Sequence, residues 1–329
     1  MSDGVGARPV VVVLGATVEE PPPGLEAAHE LAEVRVAADA AALAETIADA
    51  EVVFFWRGEP GWLPSVWPHA GRVRWIQSAS DGVDGLLFPE LVARDDVRVT
   101  NSRGIFEEPI AEWVVGSMLA VTTGLHRSIV DQQTRRWDDG RHRERLAGAR
   151  LLVVGPGPVG RATAVRARAL GMQVAAVGRT SRDDDLFGRI GGPDDLHHML
   201  GEADHVLDAL PLTDATRHRF DAAAFAAMRP TAWFTNVGRG DTVDETALIE
   251  ALRTGVIAGA CLDVFEWEPL PSSSPLWTMP NVIVSPHVSG DVEGWERQVV
   301  DLFVENLARF VRGQPLRNPV DAAAGFGVG

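Results

Sequence analysis

The chain has 329 residues, 46% hydrophobic and 23% charged, with a formal net charge of -16. That length gives room for two domains with separate cores, and no apolar run approaches the roughly 20 residues of a membrane span. The negative charge would repel nucleic acid and anionic membranes, so neither is expected as a partner; the absence of Lys and Tyr excludes Schiff-base lysine and tyrosine proton-transfer chemistry.

From the start of the chain, short β-branched runs alternate with helical stretches. The opening lacks the charged start, long apolar centre and cleavage site of a secretory leader, so a cytoplasmic protein is expected. Strands are predicted at 10–14, 34–37, 52–56, 73–77 and 97–100, with helices at 24–31 and 40–48. This βαβ order predicts a parallel sheet covered by helices. Pro109 is predicted to open a helix reaching about Gly124, with Glu107 and Glu108 favourably placed at its positive end.

A second alternation begins at Leu151-Leu-Val-Val-Gly-Pro-Gly-Pro-Val-Gly160, where an apolar run feeds into G-x-G-x-x-G and an alanine- and arginine-rich helix. In that context Gly155 permits a tight turn, Gly157 lets backbone approach phosphates, and Gly160 lets helix pack on strand. A dinucleotide pyrophosphate is the anion such a helix N-terminus would hold. Further strands are predicted at 174–177, 206–209, 232–235, 257–262 and 282–284, then a helix at 292–311 that returns the chain to the first unit. Cys261, the single cysteine, lies in an apolar run and reads as a buried thiol in a reducing compartment. An alanine- and glycine-rich tail after Val320 reads as disordered.

The strand at 174–177 would normally end in an acidic residue that binds the adenosine ribose. Here Gly178-Arg179-Thr180-Ser181-Arg182 follows. Arg179, Thr180 and Arg182 suit a 2′-phosphate, so NADP is preferred over NAD. Asp183, Asp184 and Asp185 are the competing ribose candidates, under which the arginines are solvated surface charges.

Three later segments carry chemistry, each at a predicted strand end: Arg239 in a glycine-flanked turn, Asp263 to Glu268 before Pro-Leu-Pro, and His287 beyond Ser285-Pro286. An arginine, a carboxylate and a histidine beside a nicotinamide suit hydride transfer to a 2-oxo acid. Arg239 would clamp the substrate carboxylate and polarise the carbonyl. His287 would protonate the carbonyl oxygen. Glu268 would orient the imidazole and raise its pKa; Glu266 competes, but only Glu268 immediately precedes the turn. The adjacent His197 and His198 match no zinc spacing, and no metal is expected.

At these residues the chain resembles the D-isomer-specific 2-hydroxyacid dehydrogenase family, in particular its glyoxylate/hydroxypyruvate reductases. The likeness runs from about Gln77 to Pro319 through Ser78-Ala-Ser-Asp-Gly-Val-Asp84, Thr100-Asn-Ser-Arg-Gly104, Ile110-Ala-Glu112, Leu146-Ala-Gly148, the glycine loop, Leu210-Pro-Leu-Thr213 and the three segments above. It implies an α/β fold of two Rossmann-like parallel-sheet domains with an interdomain cleft. A flavodoxin-like substrate domain would take residues 1–102 plus 291–329, and the dinucleotide-binding domain residues 103–290.

The resemblance implies Arg239, Glu268 and His287 as the catalytic set and Asp263 as the partner of the nicotinamide amide. Further cofactor contacts would come from Pro158, Val159, Leu210, Pro211, Val237, Gly238, Ser289 and Gly290. Ser80, Asp81, Gly82 and Val83 would offer backbone N–H groups to the substrate carboxylate, and Arg57 is either a pocket residue or a surface charge. A homodimer through the helices around 109–137 is implied too. Glutamine stands for Glu268 in the formate dehydrogenases, which argues against formate, and the regulatory domain of long phosphoglycerate dehydrogenases is not expected after Pro319. The alternatives are NAD-dependent oxidation of a D-2-hydroxy acid such as lactate or phosphoglycerate, or a non-catalytic nucleotide-sensing protein like the corepressors of this fold.

Overall fold

The computed structural model describes residues 8–140, 144–322 and 326–327. The chain divides into two compact units, Met1–Ile105 with Glu293–Gly329, and Phe106–Val292. Among the described residues no helix is long and apolar enough to cross a membrane.

In the first unit, β1 (Val10–Leu14), β2 (Glu33–Ala37), β3 (Val52–Phe55), β4 (Trp75–Ser78) and β5 (Arg98–Thr100) form a parallel sheet in the order β2-β1-β3-β4-β5. This is the flavodoxin-like doubly wound order. The helices α1 (Ala40–Thr46), α2 (Trp62–Val66) and α3 (Pro89–Val92) alternate with the strands. Asp39 caps α1 by accepting the Ala42 N–H at 2.9 Å. The predicted helix at 24–31 is instead a 3-10 turn, Leu25–Glu30, entered through Gly24 at φ +92° directly after three prolines.

The last helix of the chain, α10 (Trp295–Val311), belongs to this unit and begins three residues later than predicted, after a left-handed Gly294. Its Phe303 stacks on Phe54 with centroids 4.2 Å apart and also on Trp75. Buried polar groups beside them are paired. Trp75 Nε1 donates to Thr100 Oγ1, Thr100 Oγ1 to Gln77 Oε1, and Asn306 Nδ2 to the same Gln77 oxygen. Beyond it β14 (Val320–Asp321) pairs antiparallel with β15 (Phe326–Gly327), so the tail expected to be disordered contains a short ladder. Residues 323–325 and 328–329 of that tail lie outside the described residues.

In the second unit, α4 (Glu107–Thr122) starts before Pro109, which sits in the first turn where a missing N–H costs no hydrogen bond. The chain turns through a left-handed Gly124 straight into α5 (Leu125–Gln133), which the residue pattern did not delimit, although the resemblance implied helices around 109–137. Then follow β6 (Arg150–Val154), α6 (Pro158–Ala169), β7 (Gln173–Val177), β8 (Arg182–Asp184), β9 (Gly188–Gly191), α7 (Leu196–Leu200), β10 (His205–Asp208), α8 (Ala222–Ala227), β11 (Trp233–Asn236), α9 (Glu245–Thr254), β12 (Gly259–Leu262) and β13 (Val282–Val284).

The strand order β13-β12-β11-β10-β6-β7-β9-β8 is the Rossmann order, with β9 as third strand and β8 added antiparallel at its edge. The order reverses between β6 and β10, so the ends of those strands flank the crevice where open α/β sheets bind ligands. Leu152, Val206, Phe234, Leu262 and their neighbours fill the core on one face of the sheet.

Candidate active site

The glycine turn between β6 and α6 shows why each glycine stands where it does. Gly155 has φ +96°, and a Cβ there would lie 2.6 Å from Ala209 O. A Cβ on Gly160 would come within 2.4 Å of Gly155 O and 2.7 Å of Val153 Cγ1, so the helix rests directly on the strand. Gly157, the N-cap of α6, has nothing within 4 Å of its Cβ position, and Pro158 and Val159 open the helix behind it. Two glycines are required because protein atoms occupy the space; the third faces room left open before a helix N-terminus. These residues fit a dinucleotide pyrophosphate.

Beyond β7, Arg182 Nη1 donates to Thr180 O at 3.3 Å. Arg189, on the neighbouring β9, donates through Nε and Nη2 to Ser181 Oγ at 3.2 and 3.0 Å. The sequence reading missed Arg189 because it lies well past the end of β7 and is returned only by the β8–β9 hairpin. Asp184 is turned elsewhere: it takes Arg161 Nη1 at 2.7 Å and the N–H groups of Leu186 and Phe187. The hydrogen bond from Arg161 holds its carboxyl below the usual range. Of the acidic trio, Asp184 is thereby committed within the fold.

Arg239 follows β11 in a turn built by its neighbours. Asn236 Oδ1 accepts Gly238 N–H at 2.9 Å, and Asn236 Nδ2 donates to Arg239 O at 3.1 Å. A Cβ on Gly238 would lie 2.6 Å from Leu210 O, and one on Gly240 only 1.9 Å from Phe265 O. The turn therefore touches the Leu210-Pro211 segment on one side and the Glu268 segment on the other. Val237 N–H donates to Asp208 O at 3.1 Å, while Leu210 N–H donates to Asp208 Oδ1 at 3.0 Å. The Arg239 side chain is half-buried and its Nη1 donates to Gly238 O at 2.7 Å.

His287 Nδ1 stands 2.7 Å from Glu268 Oε2, and Glu268 Oε1 accepts Phe265 N–H at 3.0 Å. The carboxylate thus fixes the tautomer that donates from Nδ1 and leaves Nε2 for a reacting group. Its hydrogen bond raises the His287 pKa above the ordinary imidazole value, against burial and the Arg239 charge, which lower it. Burial alone would raise Glu268, but the hydrogen bond and charge of His287 hold it lower, with Arg239 adding in the same direction. The hydrogen bond joins Glu268 to His287, and the charge of Arg239 acts on both.

The competing Glu266 accepts Glu245 N–H at 3.0 Å and faces His218 Nε2 at 3.3 Å, so it serves the start of α9. His287 adopts φ +55°, a left-handed conformation uncommon for a residue with a side chain. Asp263 holds it there. Its carboxylate accepts Ser285 Oγ at 2.5 Å, Val288 N–H at 3.0 Å and Ser289 N–H at 3.1 Å, on both sides of the histidine. Both Asp263 and Ser289 are buried. Gly290 ends this loop against Phe106, whose ring would lie 3.0 Å from an added Cβ.

In the first unit, the loop after β4 carries Ser80, Asp81, Gly82 and Val83. Ser80 N–H donates to Ser78 Oγ at 3.1 Å, so that donor is used inside the loop. Asp81 is clamped by Asn101 Nδ2, which donates to its backbone and side-chain oxygens at 2.7 and 2.9 Å. Arg57 pairs with Glu296 at 2.7 Å while remaining largely exposed. Cys261 is buried, and burial pushes its thiol up to about 12, too high for a nucleophile.

A sequence model of the family described as D-isomer specific 2-hydroxyacid dehydrogenase, NAD binding domain, matches residues 115–289. The glyoxylate/hydroxypyruvate reductase B of Salmonella newport is 35% identical over 264 residues, 77% of this chain and 79% of that protein. A D-isomer specific 2-hydroxyacid dehydrogenase family protein from Aeromonas salmonicida superposes with a TM-score of 0.81 at 34% identity, covering 96% of this chain and all (100%) of that one. The NADPH-dependent glyoxylate/hydroxypyruvate reductase of Sinorhizobium meliloti, solved with NADP and sulfate, gives 0.79 at 28% identity over 97% of this chain and 99% of that one.

Proposed function

The chain belongs to the D-isomer specific 2-hydroxyacid dehydrogenase family, and we propose that it reduces a small 2-oxo acid of the glyoxylate or hydroxypyruvate type to the D-2-hydroxy acid. The enzyme is NAD(P)-dependent, and NADPH is the proposed physiological reductant. The observation that carries the reading is the 2.7 Å contact between Glu268 and His287 beside the Arg239 turn.

When bound, the nicotinamide supplies the hydride that reaches the carbonyl carbon. Arg239 holds the substrate carboxylate through its planar fork and draws electron density toward the carbonyl oxygen. His287, loaded with a proton, gives it from Nε2 to that oxygen as the hydride arrives. Glu268 keeps the imidazolium charged and aimed, and Asp263 keeps the His287 loop in register. The first unit is the proposed substrate domain and the second the proposed dinucleotide domain. Arg179, Thr180 and Arg182 take the 2′-phosphate, helped by Arg189.

Association into a homodimer has its own support. The α5 helix buries no residue, and Leu125, Ile129, Val130 and the 91% exposed Trp137 offer an apolar face in this region. A second copy covers that face, and light scattering tests it. The lone buried Cys261 suits a reducing cytoplasm.

Turnover is tested by following NADPH absorbance with glyoxylate, hydroxypyruvate and longer 2-oxo acids. His287→Ala is expected to lower kcat by about 100- to 10,000-fold with NADPH affinity retained. Retained turnover would remove the proposed role.

A further inference from the structure

Asp208 closes β10 after Val206 and Leu207, and at 0% exposure it has no access to water. Each of its two oxygens has one hydrogen-bond partner. Oδ1 accepts Leu210 N–H at 3.0 Å, and Oδ2 stands 2.5 Å from Thr242 Oγ1. The same Thr242 oxygen lies 2.6 Å from Arg239 O. Thr242 is itself fully buried, so water cannot mediate either contact.

Proton counting decides the state of this group. A hydroxyl has one hydrogen, whereas an ionised carboxylate and a carbonyl only accept. With Asp208 ionised, one of the two short oxygen–oxygen contacts would contain no hydrogen. With Asp208 neutral, each contact contains one, and Oδ1 remains free to accept from Leu210.

We propose that Asp208, kept as the neutral acid, heads a hydrogen-bond chain through the Thr242 hydroxyl to the Arg239 carbonyl and so acts as a positioning residue for Arg239. The proposal rests on the substrate role given to Arg239 above. The carbonyl also takes Asn236 Nδ2 at 3.1 Å and Thr242 N–H at 3.2 Å, so the chain joins donors that lock one turn.

The surroundings agree. Burial pushes the Asp208 carboxyl up to about 7. Its strand neighbours are Val154 on β6 and Asn236 on β11, neither of them charged. In the turn, Asp241 is paired with Arg217 at 2.5 Å, and the charge of Arg239 acts on Glu268 and His287. Ionisation would take the proton out of the chain and loosen the turn, so substrate KM should rise with pH.

Asp208→Asn tests this, because its amide donates to Thr242 and accepts from Leu210 at every pH. Infrared spectra near neutrality are expected to show a protonated-carboxyl C=O absorption in the wild type that Asp208→Asn removes. With glyoxylate and NADPH, the variant should match wild-type KM at about pH 6 and fall several-fold below it at about pH 9. Thr242→Val cuts the chain and should raise KM about tenfold with a smaller change in kcat. Identical KM profiles for wild type and Asp208→Asn, a carboxyl absorption that the variant keeps, or an unaltered KM in Thr242→Val overturns the proposal. If Asp208→Asn does not fold, Thr242→Val alone decides. Absence of wild-type turnover with every 2-oxo acid would sink the reductase reading, while the infrared comparison would still report on Asp208.

Discussion

Glu268 and His287 are 19 residues apart in the chain, and Glu268 Oε2 stands 2.7 Å from His287 Nδ1. Neither residue reaches the other by local geometry. One leaves the loop after β12 and the other the loop after β13, and these parallel neighbours bring their carboxyl ends together.

That pairing sets the pH dependence. In the proposed mechanism reduction needs protonated His287, so kcat/KM is expected to fall as pH rises through a value that the Glu268 hydrogen bond has raised. Glu268→Gln removes the charge and the ionic bond, so the falling limb should move to lower pH. At about pH 8 the loss should be on the order of tenfold, and it should shrink in acid. A pH profile of kcat/KM checks it; an unmoved limb would show that another group controls protonation.

Arg239→Lys keeps the charge and loses the fork. Lysine presents a point charge to a carboxylate and cannot bridge both oxygens. In the proposed mechanism Arg239 serves both the bound acid and the developing charge, so KM should rise and kcat should fall, with kcat/KM reduced by about 100-fold. A change confined to KM would restrict Arg239 to ground-state binding.

How much of this was legible in the sequence depended on how local each signal was. Gly155, Gly157 and Gly160 were readable because a strand, a turn and a helix follow one another without a gap, and the same holds for the cores of most strands. The β8–β9 hairpin was hidden because Arg182-Asp-Asp184 has no β-forming side chains; backbone pairing with Gly188–Gly191 makes it a strand. Arg189 was hidden with it. The α5 helix was lost because Gly124 reads as a stop, whereas its φ of +72° serves as the start of the next helix. Asp208 was passed over although it lay within the strand predicted at 206–209, because one polar residue in a strand carries no motif that points to chemistry. Its partners Leu210 and Thr242 are brought to it only by the fold.

The cofactor preference is tested on Arg182 and Arg189. Each charge-assisted hydrogen bond to a phosphate contributes on the order of 2 kcal/mol. Arg182→Ala with Arg189→Ala should therefore cut kcat/KM for NADPH by at least about tenfold and leave NADH almost unchanged, since NADH has no 2′-phosphate. Equal losses with both cofactors would place these arginines in the fold and not at the nucleotide.

Asp208 leaves a trace in stability that is separate from its effect on turnover. Its folded value of about 7 lies above the ordinary 3.8 of an aspartate, because burial disfavours the charged form. The folded state therefore binds the proton more tightly than the unfolded chain. Its contribution to stability is fully present below the unfolded value and is lost progressively as pH rises through the folded one. Between those limits the loss is at most on the order of 4 kcal/mol. Asp208→Asn cannot ionise, so its melting temperature relative to wild type should climb from about pH 4 to about pH 8 and then level off. Thermal denaturation of both proteins across that interval checks it. A constant difference would mean that Asp208 is already ionised in the folded protein, and the Thr242 hydroxyl would then lack the proton that the Arg239 carbonyl requires.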